Sequence, residues 1–467
     1  LGPVLVMAGP GSGKTRVLTQ RVAYLVGAMG VSPYNIMAVT FTNKAANEMK
    51  DRITSLVGRD QIGLTIGTFH AICARILRRE AENLPFSSNF VIFDSDDQIS
   101  LVKQAIRGLD IDEKRYRPLS VHGAISNAKN ELILPDGYPV NSYRDEVVQR
   151  VYRLYQGMLL KNNALDFDDL LLWVAYLLEE NPLVRERYAR RYEHILVDEF
   201  QDTNLAQYTL LRHLSSFHKN IFVVGDTDQS IYRWRGADYR NVLRFERDFR
   251  DAQLILLEQN YRSTQVILDA AMAVIDRNPD RTHKHLFTDR GRGQKVHVHL
   301  AYDDRIEASY VVDKIASLVA RSQAQPGDFA IMYRTNAQSR VLEEAFLSAG
   351  IPYKLVGAQR FYGRREIKDI IAFLRLIHNP GDELSLLRII NVPTRGIGDK
   401  TLNALRTRAQ KIGLQPGELL IELGGDPDSA HRNAFTPRAA AVLSRFGILL
   451  AGWKALRDCL LYTSPSP

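Results

Sequence analysis

The stretch Val4-Leu5-Val6-Met7-Ala8-Gly9-Pro10-Gly11-Ser12-Gly13-Lys14-Thr15 runs from an apolar strand into a glycine-rich turn that closes on a lysine and a hydroxyl. The helical sequence Arg16 to Val26 comes next. Strand, glycine turn and helix N-terminus together place backbone N–H groups and the positive end of a helix dipole around an anion, the arrangement of a phosphate-binding P-loop. Glycine permits a close backbone approach that a side chain would block. Lys14 is placed to reach the β and γ phosphates of a nucleotide, and the Thr15 hydroxyl to ligate Mg²⁺. Ala8 stands where the usual pattern has glycine; it is small enough to keep the turn. Ala8 through Lys14, with Thr15 and Arg16, is therefore the expected nucleotide cradle.

Outward from this segment, strand-like runs alternate with amphipathic helices: Val4–Met7, Ile36–Phe41 and Leu64–Ile66, then His194–Val197, Ile221–Val224 and Leu254–Leu257. That alternation predicts an α/β fold with parallel strands and helices packed on them. Between about Phe90 and Arg190 the pattern is almost pure helix, with Gln98–Arg107, Arg144–Asn162 and Asp168–Glu180 as the clearest pieces, and reads as a helical insertion. Val296–Leu300 and Phe329–Tyr333 read as strands of a second α/β region, and from about Gly357 the chain turns helical again.

The chain has 467 residues, room for about two to four domains. Sixty-one Lys and Arg against 53 Asp and Glu give a net charge of +8, a bias toward polyanionic partners. Only Cys73 and Cys459 occur, so neither a disulfide framework nor a cysteine metal site is expected, and a reducing cytoplasm fits. The longest wholly apolar run, Leu170 to Leu178, falls far short of the roughly 18 residues of a membrane span and reads as a buried helix. The closing Leu461-Tyr462-Thr463-Ser464-Pro465-Ser466-Pro467 breaks a helical pattern and is expected to be foreign to the fold.

Ile195-Leu196-Val197-Asp198-Glu199 is an apolar strand ending in two carboxylates. Next to a P-loop, Asp198 can hold the Mg²⁺ shell and Glu199 can orient and deprotonate an attacking water. Acidic pairs at strand ends are common, and this one gains weight from the residues on its C-terminal side. Asp198-Glu199-Phe200-Gln201-Asp202-Thr203, the run from Gly225 through Gln229, Tyr232, Trp234 and Arg235 to Asp238, and Gln259-Asn260-Tyr261-Arg262-Ser263-Thr264 together resemble the superfamily 1A DNA helicases of the UvrD/PcrA/Rep group. Thr40 to Ala46, Thr68-Phe69-His70, Asp166 to Leu170, and Tyr333 to Arg340 match in the same order.

The resemblance implies roles residue by residue. Gln229 would sense the γ phosphate and the attacking water, Arg262 and Arg235 would steady developing charge, and Tyr261 would stack on adenine. Phe41, Thr42, Asn43, Thr68, His70, Tyr232, Trp234, Arg334 and Asn336 would line a single-strand groove, with Lys44 and Arg75 as further phosphate contacts. Aromatic faces stack on unpaired bases without reading sequence, at about 1–3 kcal/mol per base.

The resemblance also implies two RecA-like domains with helical insertions. Residues 1–89 and 191–262 would form the first and 90–190 its insertion. Residues 263–356 would be an incomplete second domain, 357–460 an incomplete helical subdomain, and 461–467 the tail. The implied activity is ATP- and Mg²⁺-dependent movement 3′ to 5′ on single-stranded DNA and unwinding of junctions, in repair or replication, without a membrane and with possible protein partners in those pathways. The family's adenine-recognising glutamine segment and its last two motifs have no counterpart here, so impaired turnover is expected. A helicase subunit of a helicase–nuclease complex, or an ATP-binding DNA scaffold without turnover, stands as the alternative.

Overall fold

The structure is a computed structural model and describes every residue except 59–62, 232–237, 239, 279–283, 357–364, 427 and 464–467. Two compact units form, residues 1–294 with 372–467, and residues 295–371. The expected second domain, 263–356, is shared between them.

The first unit is organised by a six-stranded sheet in which every pairing is parallel. In chain order its strands are β1 (Val4–Ala8), β2 (Ile36–Thr40), β3 (Thr65–Thr68), β6 (His194–Val197), β7 (Ile221–Gly225) and β8 (Gln253–Leu257), and across the sheet they run β3-β2-β6-β7-β1-β8. β1, β2 and β6 are buried along their whole length, as expected where helices cover both faces. Leu5, Met7, Val39 and Ile195 face one core, while Val4, Val6, Ala38 and Leu196 face the other, with Leu18 and Val22 of the helix Lys14–Gly27. Each expected strand of this region is present to within one or two residues at its ends. β1 sits between β7 and the edge strand β8, so the phosphate-loop turn emerges at the carboxyl edge flanked by strands on both sides, where open parallel sheets bind ligands.

The long excursion between β3 and β6 is helical, with helices Ser95–Gly108, Pro118–Asn130, Tyr143–Lys161, Phe167–Glu180 and Pro182–Arg191. Leu101, Ile106, Ile125, Val151 and Tyr155 form its own core. Phe167–Glu180 instead turns Leu171, Val174 and Leu178 into the main core beside Ile72 and Leu211, so the apolar run is indeed a buried helix. Two short strands, β4 (Val91–Ile92) and β5 (Ala164–Leu165), pair in parallel at the root of the excursion. They are too short to show an alternating pattern in sequence.

Asp166, at the start of the Phe167 helix, accepts from the Asp169 backbone N–H at 2.7 Å, and Asp169 answers with a bond from the Asp166 N–H, a reciprocal cap. Lys129, fully buried, donates to Asp166 at 2.6 Å and to Asp169 at 2.8 Å. Tyr155 and Gln156 complete the cluster with bonds to Asp166 (2.8 Å) and Asp169 (3.0 Å). One ammonium cannot neutralise Asp166, Asp168 and Asp169 together. Burial and the Asp166 charge push the Asp168 carboxyl up to about 6 and that of Asp169 up to about 7, while Lys129 holds Asp166 down.

Residues 372–467 add helices Glu383–Ile389, Asp399–Ile412, Pro416–Gly425 and Pro437–Thr463 around Leu376, Leu386, Leu405, Leu420 and Phe446. The last two helices touch backbone to backbone: a Cβ on Gly447 would lie 1.9 Å from the Leu420 carbonyl oxygen. Among the described residues, Pro437–Arg457 is the one helix long and apolar enough to cross a membrane, and its Leu443, Phe446 and Leu450 are core residues of this bundle. The bundle is pinned to the helical excursion by Arg375, which donates to Asp97 at 2.6 Å and to the Ile92 carbonyl at 2.7 Å, and by Asn379, which donates to the Asn162 carbonyl at 3.1 Å.

In the unit 295–371, helices Asp304–Ala320 and Ser339–Ser348 pack through Val312, Ile315 and Phe346. The expected strands Val296–Leu300 and Phe329–Tyr333 do not form: neither segment carries a ladder among the described residues, and Val298, Leu300 and Met332 are more than nine-tenths exposed. Alternating apolar residues mark which side chains want burial, but a strand also needs a hydrogen-bonding neighbour, and none is supplied here. The start of the expected helical subdomain, 357–364, lies outside the described residues; helix is present from Arg365.

Replacing Lys129 by Met leaves buried carboxylates without their cation and should lower unfolding free energy by about 3–5 kcal/mol in urea titration. A loss below about 1 kcal/mol would contradict the role assigned to this cluster.

Candidate active site

The turn after β1 is held open by two glycines in the left-handed region, Gly11 (φ 69°) and Gly13 (φ 94°). Gly11 has a second reason to lack a side chain, since a Cβ there would lie 2.7 Å from Asn260 Nδ2 and 2.8 Å from Arg262 Cβ. Ser12 Oγ donates back to the Gly9 carbonyl at 2.7 Å and closes the turn. Lys14 and Thr15 thus start a helix directly at the carboxyl edge of the sheet.

Strands β6 and β7 deliver the facing groups. Lys14 Nζ donates to Glu199 Oε2 at 2.9 Å and to Gln229 Oε1 at 3.1 Å, and Thr15 Oγ1 donates to Asp198 Oδ2 at 3.3 Å. Lysine, hydroxyl, two carboxylates and the glutamine amide, expected from sequence as parts of one site, therefore meet. Glu199 adopts φ 50°, a left-handed backbone unusual for a residue with a Cβ, which turns its carboxylate back toward Lys14. Gln201 ties the two strand ends together. Its Nε2 donates to Glu199 Oε2 (2.9 Å) and Asp202 Oδ2 (3.3 Å), and its Oε1 accepts from the Asp226 N–H (2.8 Å).

Burial, and then the neighbouring Glu199, push the Asp198 carboxyl up to about 6; Lys14 and Thr15 oppose the shift. Asp202 is likewise pushed up to about 6 by burial and Glu199. The donor set of a hydroxyl and a hard carboxylate oxygen, beside glycines that leave room for phosphate oxygens, fits a magnesium nucleotide.

From the β8 side, Asn260 donates to the Pro10 carbonyl and accepts from the Arg262 and Ser263 N–H groups at 2.8 and 2.7 Å, while the Tyr261 N–H donates to the Gly11 carbonyl at 3.0 Å. Tyr261 and Arg262 are exposed beside the loop, and the Tyr261 hydroxyl donates to Gln259 at 2.8 Å. Arg16 is exposed on the first turn of the helix. Asn260, Gln201, Asp226 and Lys284 carry the geometry, although the sequence alone assigns them no role. Asn260 and Gln201 lie within the helicase-like motifs, and a turn-forming Asn two residues before Arg262 is a readable signal. Lys284 lies in no motif.

Farther along the same edge, Thr40 and Thr68 are register partners on β2 and β3. Thr42 accepts from the Ala45 N–H and Thr68 from the Ala71 N–H, so two capped helix N-termini stand side by side. Thr42, Asn43, Lys44 and Arg75 are exposed, and Phe41 and His70 half-buried. Phe41 and His70 line a cavity of about 410 Å³ with His122, Asn127, Asn130 and Asp168. His70 meets Phe167 edge-on at 5.9 Å, and burial lowers its pKa. Arg334 and Asn336 are exposed in the unit 295–371, where the Arg334 and Thr335 N–H groups donate to Gln338 Oε1 at 2.9 Å. Tyr232, Trp234 and Arg235 lie outside the described residues.

A carboxyl whose pKa is raised on folding keeps its proton where the unfolded chain has lost it, so stability falls as pH rises from about 4 through about 6. Asp198→Asn removes this penalty. In nucleotide-free protein the variant should be the more stable at pH 7, by up to about 3 kcal/mol for a shift of about two units, with the gap closing near pH 4. Equal stability at both pH values would contradict the assigned environment.

Residues 1–250 match the UvrD/REP helicase N-terminal domain, and residues 255–423 match the UvrD-like helicase C-terminal domain. The chain is 50% identical over 424 residues to an ATP-dependent DNA helicase PcrA of Staphylococcus epidermidis, covering 90% of this chain and 58% of that protein. It is 48% identical over 429 residues to the protein of the same name from Staphylococcus aureus, covering 91% and 58%. The chain therefore spans somewhat more than half the length of these relatives. With its RecA-like parallel sheet, helical excursions and both matched domains, the chain belongs to the UvrD/REP helicase family.

Proposed function

We propose that the chain is the ATP- and DNA-binding part of a DNA helicase that moves 3′ to 5′ on single-stranded DNA and opens the duplex ahead of it, in repair or replication in the cytoplasm. The observation that carries this reading is the convergence of Lys14, Thr15, Asp198, Glu199 and Gln229 at one edge of the sheet, a few strands from the cavity lined by Phe41 and His70. In this reading, residues 1–89 and 191–262 are the ATPase domain, 90–190 its insertion, 263–356 the second domain and 357–460 a helical subdomain.

ATP bound with Mg²⁺ supplies the phosphoryl group transferred to water. The turn Gly11 to Gly13 binds its phosphates through backbone N–H groups, since Pro10 has none and the Gly9 N–H donates to the Leu257 carbonyl at 3.2 Å; Lys14 places a positive charge against them, and Thr15 with Asp198 would hold the metal. Glu199 takes the proton of the attacking water at its carboxylate, and Gln229 orients that water with an amide that both donates and accepts. Arg262 steadies charge, together with Arg235, and Tyr261 offers its exposed ring to the adenine. Phe41, Thr42, Asn43, Thr68 and His70 contact one DNA strand, joined by Tyr232, Trp234, Arg334 and Asn336. Capped helix N-termini suit phosphates, and aromatic rings suit unpaired bases.

Phosphate release by the chain should rise on adding a single-stranded oligonucleotide. Glu199→Gln should remove about 10²- to 10⁴-fold of that rate, the usual contribution of a general base, while leaving nucleotide binding in place. Turnover indifferent to DNA, or unchanged by Glu199→Gln, would overturn the reading.

A further inference from the structure

The segment 284–287 comes after the family-like stretch at Asn260 to Thr264 and carries no motif of its own. It lies against the outer edge of the nucleotide site. Phe287 forms a parallel bridge with Gln259, the Asn260 N–H donates to the Phe287 carbonyl at 2.7 Å, and the His285 N–H donates to Glu258 Oε1 at 2.9 Å. Leu286 packs onto the phosphate loop closely enough that a Cβ on Gly9 would sit 2.4 Å from its Cδ2.

Anchored in this way, the segment inserts Lys284 beneath the end of β7. Its side chain is 1% exposed, and the ammonium pairs with Asp226 Oδ1 and lies 3.3 Å from Asp228 Oδ2. Asp226 is itself fully buried, and its other oxygen accepts from Gln229 Nε2 at 2.7 Å. Gln229 Oε1 then accepts from Lys14. Asp226 Oδ1 thus serves Lys284 and the Asp228 N–H (3.1 Å) while Oδ2 takes the glutamine amide, and with its NH₂ held by Asp226 the amide faces Lys14 with its oxygen.

We infer that Lys284 is a positioning residue for nucleotide recognition: by pairing with Asp226 it fixes the orientation of the Gln229 amide, and through it the ability of the site to tell a nucleoside triphosphate from a diphosphate. The inference rests on the proposed reading of Gln229 as a γ-phosphate contact. A buried lysine with no ligand of its own is otherwise a costly element, because both it and Asp226 have given up water.

The test compares dissociation constants of the full chain for fluorescent N-methylanthraniloyl ADP and for the matching non-hydrolysable triphosphate, in Mg²⁺ buffer, so turnover is not required. Gln229→Ala should lower the triphosphate preference by about three- to tenfold, the worth of one hydrogen bond. Lys284→Gln, which keeps a donor but removes the charge, should lower it by a similar factor. The pair Asp226→Asn with Lys284→Met, which removes the buried ion pair as a unit and leaves only the part-exposed Asp228 carboxylate without its lysine, should do the same. Adding Gln229→Ala to that pair should lower it no further.

A preference unmoved by the Lys284 variants, additive with Gln229→Ala, or already insensitive to Gln229→Ala would overturn the inference. Equal weakening of both nucleotides would do so too, since it would mark a merely structural role. Loss of DNA-stimulated turnover with this pattern intact would instead overturn the helicase reading and leave the positioning role standing.

Discussion

The contact between Lys14 and the Glu199 and Gln229 side chains joins the ends of three strands, β1, β6 and β7, at one point. Each group arrives there for a reason rooted in the sheet: β1 lies one strand in from the edge, flanked by β7 and β8, so its turn opens beside the end of β7, and β7 and β6 follow one another on that side of it. The ammonium is nearly buried, and the carboxylate and amide are its compensation. A phosphate chain in the loop would compete for that ammonium and release Glu199, so the same side chains that satisfy one another here are those a triphosphate needs.

The stretch after β6 also reaches away from the nucleotide edge. Asn204 caps the helix Leu205–Leu214 and donates to Asn130 of the helical excursion. Asn130 donates to the Ser126 carbonyl at 2.8 Å and to Asp168 at 3.1 Å. Asn241 closes the other side with a bond to the Thr203 carbonyl at 2.8 Å. Short polar side chains thus tie the strand end bearing Asp198 and Glu199 to the helices that wall the cavity beside Phe41 and His70. Buried networks of this kind stay ordered because each unpaired member would be costly.

The central sheet is legible in the sequence because its parallel strands read as continuous apolar runs, buried on both faces in β1, β2 and β6 and exposed in the edge strand β8, and the acidic and glycine-rich segments mark carboxyl ends. The Phe167 helix is legible from its unbroken apolar run. Val296–Leu300 and Phe329–Tyr333 mislead because apolar alternation reports a wish for burial and says nothing of a pairing neighbour. The β4–β5 pair is too short to leave a pattern. At the site, the residues inside motifs are readable. Lys284 is not, because its partners Asp226 and Asp228 are more than fifty residues distant in the chain and a lone lysine carries no local signature.

The convergence of the three strand ends on Lys14 is tested most directly by a crystal structure of the chain with Mg²⁺ and a non-hydrolysable ATP analogue. The triphosphate should lie in the loop Gly9–Gly13, with the metal against Thr15 and Asp198 and Lys14 turned from Glu199 to the phosphate oxygens. A triphosphate bound elsewhere, or bound in the loop with the Lys14–Glu199 pair intact, would contradict that expectation.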